Sequence, residues 1–268
     1  MIVIKAGGAL LEKGLPEEIA FDIKAIAERS KAILVHGGGR EVTEIAQRLG
    51  KEQRFIVSPD GFRSRYTDRE TVDIYTMVMA GRLNKSIVAD LESRGVKAVG
   101  LSGLDGHLIR AERKKRLVII NERGRKMVID GGYTGSIEAI NKELLNLLMD
   151  AGYVPVISPI AMSEEYEPLN VDGDRAAARI AGELKADALI LLTDVEGLLI
   201  DGETVPKLHV TRAREILHKV GPGMITKIHA ATEAIELGAK EVVIAPGSES
   251  TPVRSALNHS IGTVIESE

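Results

Sequence analysis

Three apolar stretches each run straight into a glycine-bearing turn. Ile2-Val-Ile4 leads into Lys5-Ala-Gly-Gly8, Ala32-Ile-Leu-Val35 into His36-Gly-Gly-Gly39, and Val96-Lys-Ala-Val99 into Gly100-Leu-Ser-Gly103. Helical patterns follow, at Glu17-Arg29 after the first and Glu41-Gly50 after the second. Further β-like runs at Val154-Ile157, Ala188-Leu192 and Glu241-Ala245 alternate with helical patterns at Ile137-Ala151, Arg175-Leu184 and Thr226-Leu237. Strand, tight turn and helix in repetition admit few folds; the expectation is a mostly parallel sheet with helices on both faces. A strand ending in glycines at a helix start also presents backbone N–H groups at the positive end of a helix dipole, which suits bound anions. For any one such turn, glycine as a mere permit for tight geometry explains the sequence equally well.

Two segments break the alternation. Leu108-Asp130 reads as antiparallel strands around an Asn121-Glu-Arg-Gly124 turn, and Glu196-Pro206 as a hairpin around Ile200-Asp-Gly202. A long helix is expected after Tyr66, opened by a Thr67/Glu70 capping box, with Val72, Tyr75, Val78, Met79, Leu83, Ile87 and Leu91 on one stripe. Proline and acidic residues at 159–168 interrupt the pattern and place a boundary between an N-terminal lobe, 1–165, and a C-terminal lobe, 166–268.

With 44% hydrophobic and 28% charged residues among 268, the chain can build a sizeable core. The absence of cysteine removes disulfides, thiolate metal sites and cysteine nucleophiles. A net charge of -4 and 3% aromatics argue against nucleic-acid binding, and no apolar run has the length of a membrane span, so a soluble cytoplasmic protein is expected. His36-Gly-Gly-Gly39 lacks the G-x-S-x-G elbow that an esterase would need. A Walker A loop and the G-x-G-x-x-G fingerprint of a Rossmann-type oxidoreductase are missing too.

Lys5 ends an apolar strand beside Gly7 and Gly8, where an ammonium either serves an anion or reaches solvent. Asn170-Val-Asp172-Gly-Asp174 precedes a helix; on spacing alone, a turn with an aspartate N-cap is the simpler reading. Gly221-Pro-Gly-Met-Ile-Thr-Lys227 has the look of another anion loop. Thr193-Asp-Val-Glu-Gly-Leu198 follows the strongest strand of the second half, where ligand crevices of parallel sheets lie. Arg65, beside a helix start, suits bidentate carboxylate recognition.

In this order the motifs resemble the amino-acid kinase superfamily, most closely its N-acetylglutamate kinase branch, over nearly the whole chain. The resemblance rests on Lys5-x-Gly-Gly8, His36-Gly-Gly-Gly39, Arg65-x-Thr67, Ala80-Gly81 with Asn84-Lys85, Gly100-Leu-Ser-Gly103, Asn170 to Asp174, Thr193-Asp-Val-x-Gly197 and Gly223-Met-x-x-Lys227. It implies a three-layer αβα sandwich, an N-terminal lobe that binds an amino-acid derivative, and a C-terminal lobe that binds ATP. The implied reaction phosphorylates a side-chain carboxylate to an acyl phosphate. Magnesium is expected on the nucleotide phosphates, with no protein metal ligand. By the same resemblance Lys5 and Lys227 stabilise the transferring phosphoryl group and Asp174 orients both. Gly38, Gly39, Arg65, Tyr66 and Asn170 are expected to hold the amino-acid substrate. Gly7, Gly8, Thr193, Asp194, Val195, Gly197, Leu198, Lys219 and Gly221 are expected to hold the nucleotide. A homodimer through the sheet edge and the 68–94 helix is implied as well.

Tyr66, the string from Asn170 to Arg175, and Asp130-Gly-Gly-Tyr-Thr-Gly135 resemble the LysW-dependent aminoadipate/glutamate kinases of lysine and arginine biosynthesis. There the substrate's α-amino group is attached to an acidic carrier protein, LysW. A basic hairpin with Arg110, Arg113, Lys114, Lys115 and Arg116, followed by Arg123, Arg125 and Lys126, would steer such a carrier. The alternatives are an N-acetylglutamate kinase acting on free acetylglutamate and, in a different class, a non-catalytic amino-acid sensor.

Overall fold

The structure, a computed structural model, describes the whole chain except Asp60, Asp201, His218, Lys219, Glu268 and the side chain of Pro222. Eight strands form the main sheet: β1 (Ile2–Ala6), β2 (Ala32–His36), β3 (Ala98–Ser102), β4 (Val154–Ser158), β5 (Ala188–Thr193), β6 (Lys207–His209), β7 (Glu241–Pro246) and β8 (Thr263–Glu266). Their order is β6-β8-β7-β5-β1-β2-β4-β3. β1 lies centrally and pairs in parallel on both sides, with Lys5 opposite Leu191 of β5 and Val35 of β2. Only β8 and β6 run against the rest: β8 is antiparallel to β7 and parallel to β6.

Period-two alternation sorts the side chains into two layers. Val3, Ile33, Val35, Leu189, Leu191, Val242 and Ile244 share a core with α5 (Lys142–Asp150), α6 (Gly173–Glu183), α7 (Val210–Glu215) and α8 (Pro222–Leu237); the earlier helices are α1 (Glu17–Ala27), α2 (Gly39–Arg48), α3 (Arg69–Thr76) and α4 (Asn84–Glu92). Ile4, Leu34, Ile190, Leu192 and Val243 pack against α1, α4 and α9 (Pro252–Leu257). The molecule is therefore an αβα sandwich. Lys5, two residues after Val3, is set by this alternation on the α6–α8 side. No helix among the described residues is long and apolar enough to cross a membrane.

α6 and α8 approach closely through small residues: Ala177, Ala178 and Ala181 are fully buried, as are Ala230, Ala231 and Ala234. At Gly182 a Cβ would collide with Leu237 Cβ and stand 2.9 Å from the Ala234 carbonyl. Gly182 meets Leu237 near both helix ends, whereas Asp174 meets Lys227 near both starts. The two helices consequently run parallel, with both N-termini at the carboxyl end of β1.

Three expectations change. Gly135–Ile140 is a strand antiparallel to Ile109–Arg113, and α5 starts only at Lys142, capped by Asn141. The helix after Tyr66 is capped by Asp68, whose carboxylate accepts from the Thr71 N–H at 2.8 Å. Thr67 cannot cap because its hydroxyl donates to the Arg65 carbonyl and accepts from Asn170 Nδ2. That helix also contains a π-helical stretch, Met77–Leu83, between α3 and α4. Strands β6 and β8, of three and four residues, carry too little pattern to be read in advance. Arg116–Ile120 and Lys126–Asp130 do pair as a hairpin around 121–125, and Leu199–Ile200 pairs with Glu203–Thr204, though Asp201 of that turn lies outside the described residues.

Candidate active site

Lys5 at the end of β1, Asp174 in the first turn of α6 and Lys227 of α8 converge. Lys5 Nζ stands 2.6 Å from Asp174 Oδ1, and Lys227 Nζ donates to Oδ2 at 2.9 Å. The Lys5 contact is ionic without hydrogen-bond alignment, which leaves Oδ1 without an aligned donor. Lys5 and Asp174 are 7% and 5% exposed, so neither charge would persist there alone. Burial disfavours ionised Asp174, yet Lys5 and Lys227 hold its carboxyl well below the usual carboxylate range. Burial likewise disfavours the Lys5 ammonium, and Asp174 outweighs it, raising the Lys5 pKa. Each ammonium has three N–H donors, so one carboxylate fixes both lysines while leaving N–H directions for an anionic ligand.

The first two glycine turns meet beside this trio. A Cβ on Gly8 would lie 2.8 Å from the Gly38 N, an approach only glycine allows. Gly7 N–H donates to the Leu192 carbonyl at 3.2 Å, joining this turn to β5. Gly38 precedes α2, with Met79 and Leu83 of the π-helical stretch packed where its side chain would stand. Gly39 offers its carbonyl to Arg65 Nη2 at 2.7 Å, and Thr43 Oγ1 accepts from the same nitrogen at 2.9 Å. Arg65 Nη1 donates to Gln53 Oε1. His36, behind the second turn, is fully buried, and burial pushes its pKa down to about 4. The neutral ring donates from Nδ1 to the Gly37 carbonyl at 2.9 Å and accepts at Nε2 from Asn84 Nδ2 at 3.2 Å.

Tyr66 lies under the Arg54 guanidinium, 5.3 Å from its ring centroid. Asn170 donates through Nδ2 to Thr67 Oγ1 at 2.9 Å and through its backbone to the Tyr133 carbonyl at 2.8 Å, while Tyr133 N–H donates to the Thr67 carbonyl at 2.7 Å. Arg65, Tyr66 and Asn170 are thus stitched into one wall. Of the residues expected at the nucleotide, Thr193 is buried with its hydroxyl on Asp194 Oδ1, and Asp194 and Val195 are exposed. Gly197 backs onto Thr263, whose Oγ1 accepts from Leu198 N–H at 2.9 Å. Leu198 itself belongs to the apolar core, and Gly221 caps α8. Lys219 lies outside the described residues.

The basic segment divides. Arg110 and Arg113 sit on the strand Ile109–Arg113, outside the 116–130 hairpin, with Lys114 and Lys115 at the corner between them. Arg113 donates to the Gly132 carbonyl at 2.7 Å, pairs with Glu167 at 3.3 Å and covers the Tyr133 ring. A cavity of about 220 Å³ at this corner is lined by Arg113, Lys115 and four carboxylates, Glu112, Asp130, Glu164 and Glu165. Of the basic segment only Arg113 has an ion-pair partner: no described carboxylate lies within ion-pair distance of Arg110, Lys114 or Lys115, nor of Arg116, Arg123, Arg125 or Lys126 on the hairpin. Cross-strand neighbours Val118 and Val128 are 47% and 58% exposed among them.

Sequence reasoning named Asn84 as part of a motif without a role, and missed Gln53, Thr43 and Glu233. The last receives a bidentate pair from Arg175, at 2.6 and 3.0 Å, which ties α8 to α6 beside Asp174. Among the described residues no group of three His, Cys, Asp or Glu could hold a metal ion. Both Asp174 oxygens face lysines, and exposed Asp172 already accepts from Arg175 N–H at 2.9 Å, so this donor set is not that of a protein-only magnesium site.

The family model described as "Amino acid kinase family" matches residues 1–246. A protein of Saccharolobus solfataricus named LysW-aminoadipate/LysW-glutamate kinase is 46% identical over 266 residues, covering 99% of each chain. One from Nitrosopumilus maritimus, provisionally given the same name, is 54% identical over 268 residues and covers 100% of both. Among solved structures, Giardia carbamate kinase shares the fold with a TM-score of 0.68 at 16% identity, over 100% of this chain and 98% of that one. The paired lysines on a buried aspartate, the facing glycine turns and a match across most of the sequence lead to one assignment: the chain belongs to the amino acid kinase family.

Proposed function

We propose that this protein transfers the γ-phosphoryl group of ATP to the side-chain carboxylate of 2-aminoadipate or glutamate whose α-amino group is linked to an acidic carrier protein of the LysW kind. The observation that carries the chemistry is the Lys5–Asp174–Lys227 trio. A carboxylate is already a nucleophile at neutral pH, so the barrier lies in bringing it against a triphosphate. Two ammoniums and the backbone amides near Gly8 and Gly38 would offset that repulsion, making catalysis positioning and electrostatic stabilisation. In this reading residues 1–165 hold the acceptor and residues 166–268 the nucleotide, with Arg65 and Asn170 gripping the acceptor's α-carboxylate region. Magnesium would rest on the nucleotide's own oxygens, and the protein's lysines act on the phosphoryl oxygens directly.

The carrier-linked acceptor is supported by the relatives' names and by one local arrangement. The strands that frame the basic hairpin are rooted on the acceptor wall: Lys114 N–H donates to the Thr134 carbonyl, Gly131 N–H to Lys115, and Tyr133 N–H to Thr67. A carrier seated on Arg116, Arg123, Arg125 and Lys126, with Val118 and Val128 as apolar contacts, would have its cargo beside Arg65. Association of two copies through the 68–94 helix and the β3 edge belongs to the same proposal.

The test is to supply ATP with carrier-linked aminoadipate, carrier-linked glutamate and free acetylglutamate separately, trapping acyl phosphate with hydroxylamine. Turnover of carrier-linked acceptors is expected. Turnover of acetylglutamate alone would overturn the acceptor, and intact ligand binding without any phosphoryl transfer would overturn the kinase activity itself.

A further inference from the structure

Arg65 is a buried guanidinium whose hydrogen-bond partners are all uncharged. They are Gln53 Oε1, the Gly39 carbonyl and Thr43 Oγ1, with the Phe55 ring 5.0 Å from its Cζ. Among the described residues no carboxylate pairs with it, whereas Arg113, Arg175 and the half-exposed Arg254 pair with Glu167, Glu233 and Asp22. Burial, with the neighbouring Arg63 adding to it, presses the Arg65 pKa downward.

Gln53 holds Arg65 at a cost to itself. Arginine only donates, so the amide must turn Oε1 toward Nη1, and Nε2 faces away. That Nε2 is shielded from solvent and has no partner among the described residues. A glutamate of the same shape would leave no orphaned donor and would give the guanidinium a charge-assisted bond. For folding alone, Gln53 is the poorer choice.

We propose that Gln53 is a specificity-determining positioning residue: its neutral amide fixes the Arg65 guanidinium in the acceptor pocket without neutralising it, reserving the charge for the acceptor's carboxylate. This rests on the reading of Arg65 given under the proposed function. Stability and acceptor affinity then make opposite demands at position 53.

The experiment compares Gln53→Glu, Gln53→Ala and Arg65→Ala with the wild-type chain, measuring KM for the carrier-linked acceptor, KM for ATP, kcat and Tm. Gln53→Glu should raise Tm while raising acceptor KM by roughly tenfold or more, the scale of losing a charge-assisted contact, with kcat and ATP KM nearly unchanged. Gln53→Ala should lower Tm and raise acceptor KM less than Gln53→Glu does. If Arg65→Ala raises acceptor KM but Gln53→Glu does not, or if Gln53→Glu lowers Tm, the role of Gln53 is overturned and the Arg65 pocket stands. If Arg65→Ala leaves acceptor KM unchanged, the pocket and the role of Gln53 fall together.

Discussion

Replacing Asp174 by asparagine keeps the side chain's shape and removes the carboxylate charge that both ammoniums contact, leaving Asp172 as the nearby carboxylate that still attracts them. Because those ammoniums contact different oxygens of one carboxylate, at 2.6 and 2.9 Å, they lie close together. Two unit charges about 6 Å apart repel by about 3 kcal/mol at an effective dielectric near 20. Breaking a buried ion pair from one side typically costs about 3–5 kcal/mol, and that is the loss expected at pH 7. Urea unfolding of Asp174→Asn and wild type across pH is the assay. In wild type the depressed Asp174 pKa contributes stability above the unfolded value, near 4, that is lost as pH falls toward the folded value. The raised Lys5 pKa contributes stability below about 10.5 that is lost as pH rises through its folded value. In the variant one lysine should have its pKa driven down instead, so its stability should recover on alkalinisation and the gap to wild type should narrow above about pH 9. A variant within about 1 kcal/mol of wild type at pH 7, with a gap that ignores pH, would refute this reasoning.

The folded chain refuses a proton at His36 until about pH 4, while an unfolded histidine takes it near 6.5, so acidification across that window should remove about 3 kcal/mol of stability. His36→Gln should flatten that part of the pH–stability curve; an unchanged slope would assign it elsewhere. Gly182→Val should force α6 and α8 apart and destabilise by roughly 2 kcal/mol or more in urea unfolding, because the contact there is with Leu237 Cβ and backbone, not a flexible tip. Reversing charge at Arg123, Arg125 and Lys126 should weaken carrier-linked acceptor use at low salt and leave ATP KM unchanged. Salt-independent affinity in both proteins would remove the hairpin from carrier recognition.

Much of the scaffold was legible because its signals are local. Strand–turn–helix repetition gave a mostly parallel sheet with helices on both faces, whereas the face that Lys5 takes follows only from the observed layers, with Val3 packed on the α6 side. The pairing of Asp174 with Lys227, 53 residues apart in the chain, was not readable from spacing, since it depends on α6 and α8 meeting through Gly182 and buried alanines. Adjacent Thr67 and Asp68 compete for one cap, and a hydrogen bond from distant Asn170 decides between them. Residues 137–140, read as the start of a helical pattern, belong instead to a strand fixed by its distant partner Ile109–Arg113. Gln53 lies in the polar run Lys51-Glu-Gln-Arg54, where nothing local distinguishes it from a solvated loop residue. The basic run was visible as composition, but the carboxylates that oppose Arg113 and Lys115 come from Asp130 and the 163–167 turn.

Single-turnover formation of acyl phosphate, with ATP saturating and the carrier-linked acceptor in place, probes the two lysines most directly. Lys227→Ala and Lys5→Ala should each slow that step by about a hundredfold or more, the scale of removing one preorganised donor, while nucleotide remains bound. A rate within a few-fold of wild type in either variant would show that its ammonium does not stabilise the phosphoryl group in flight.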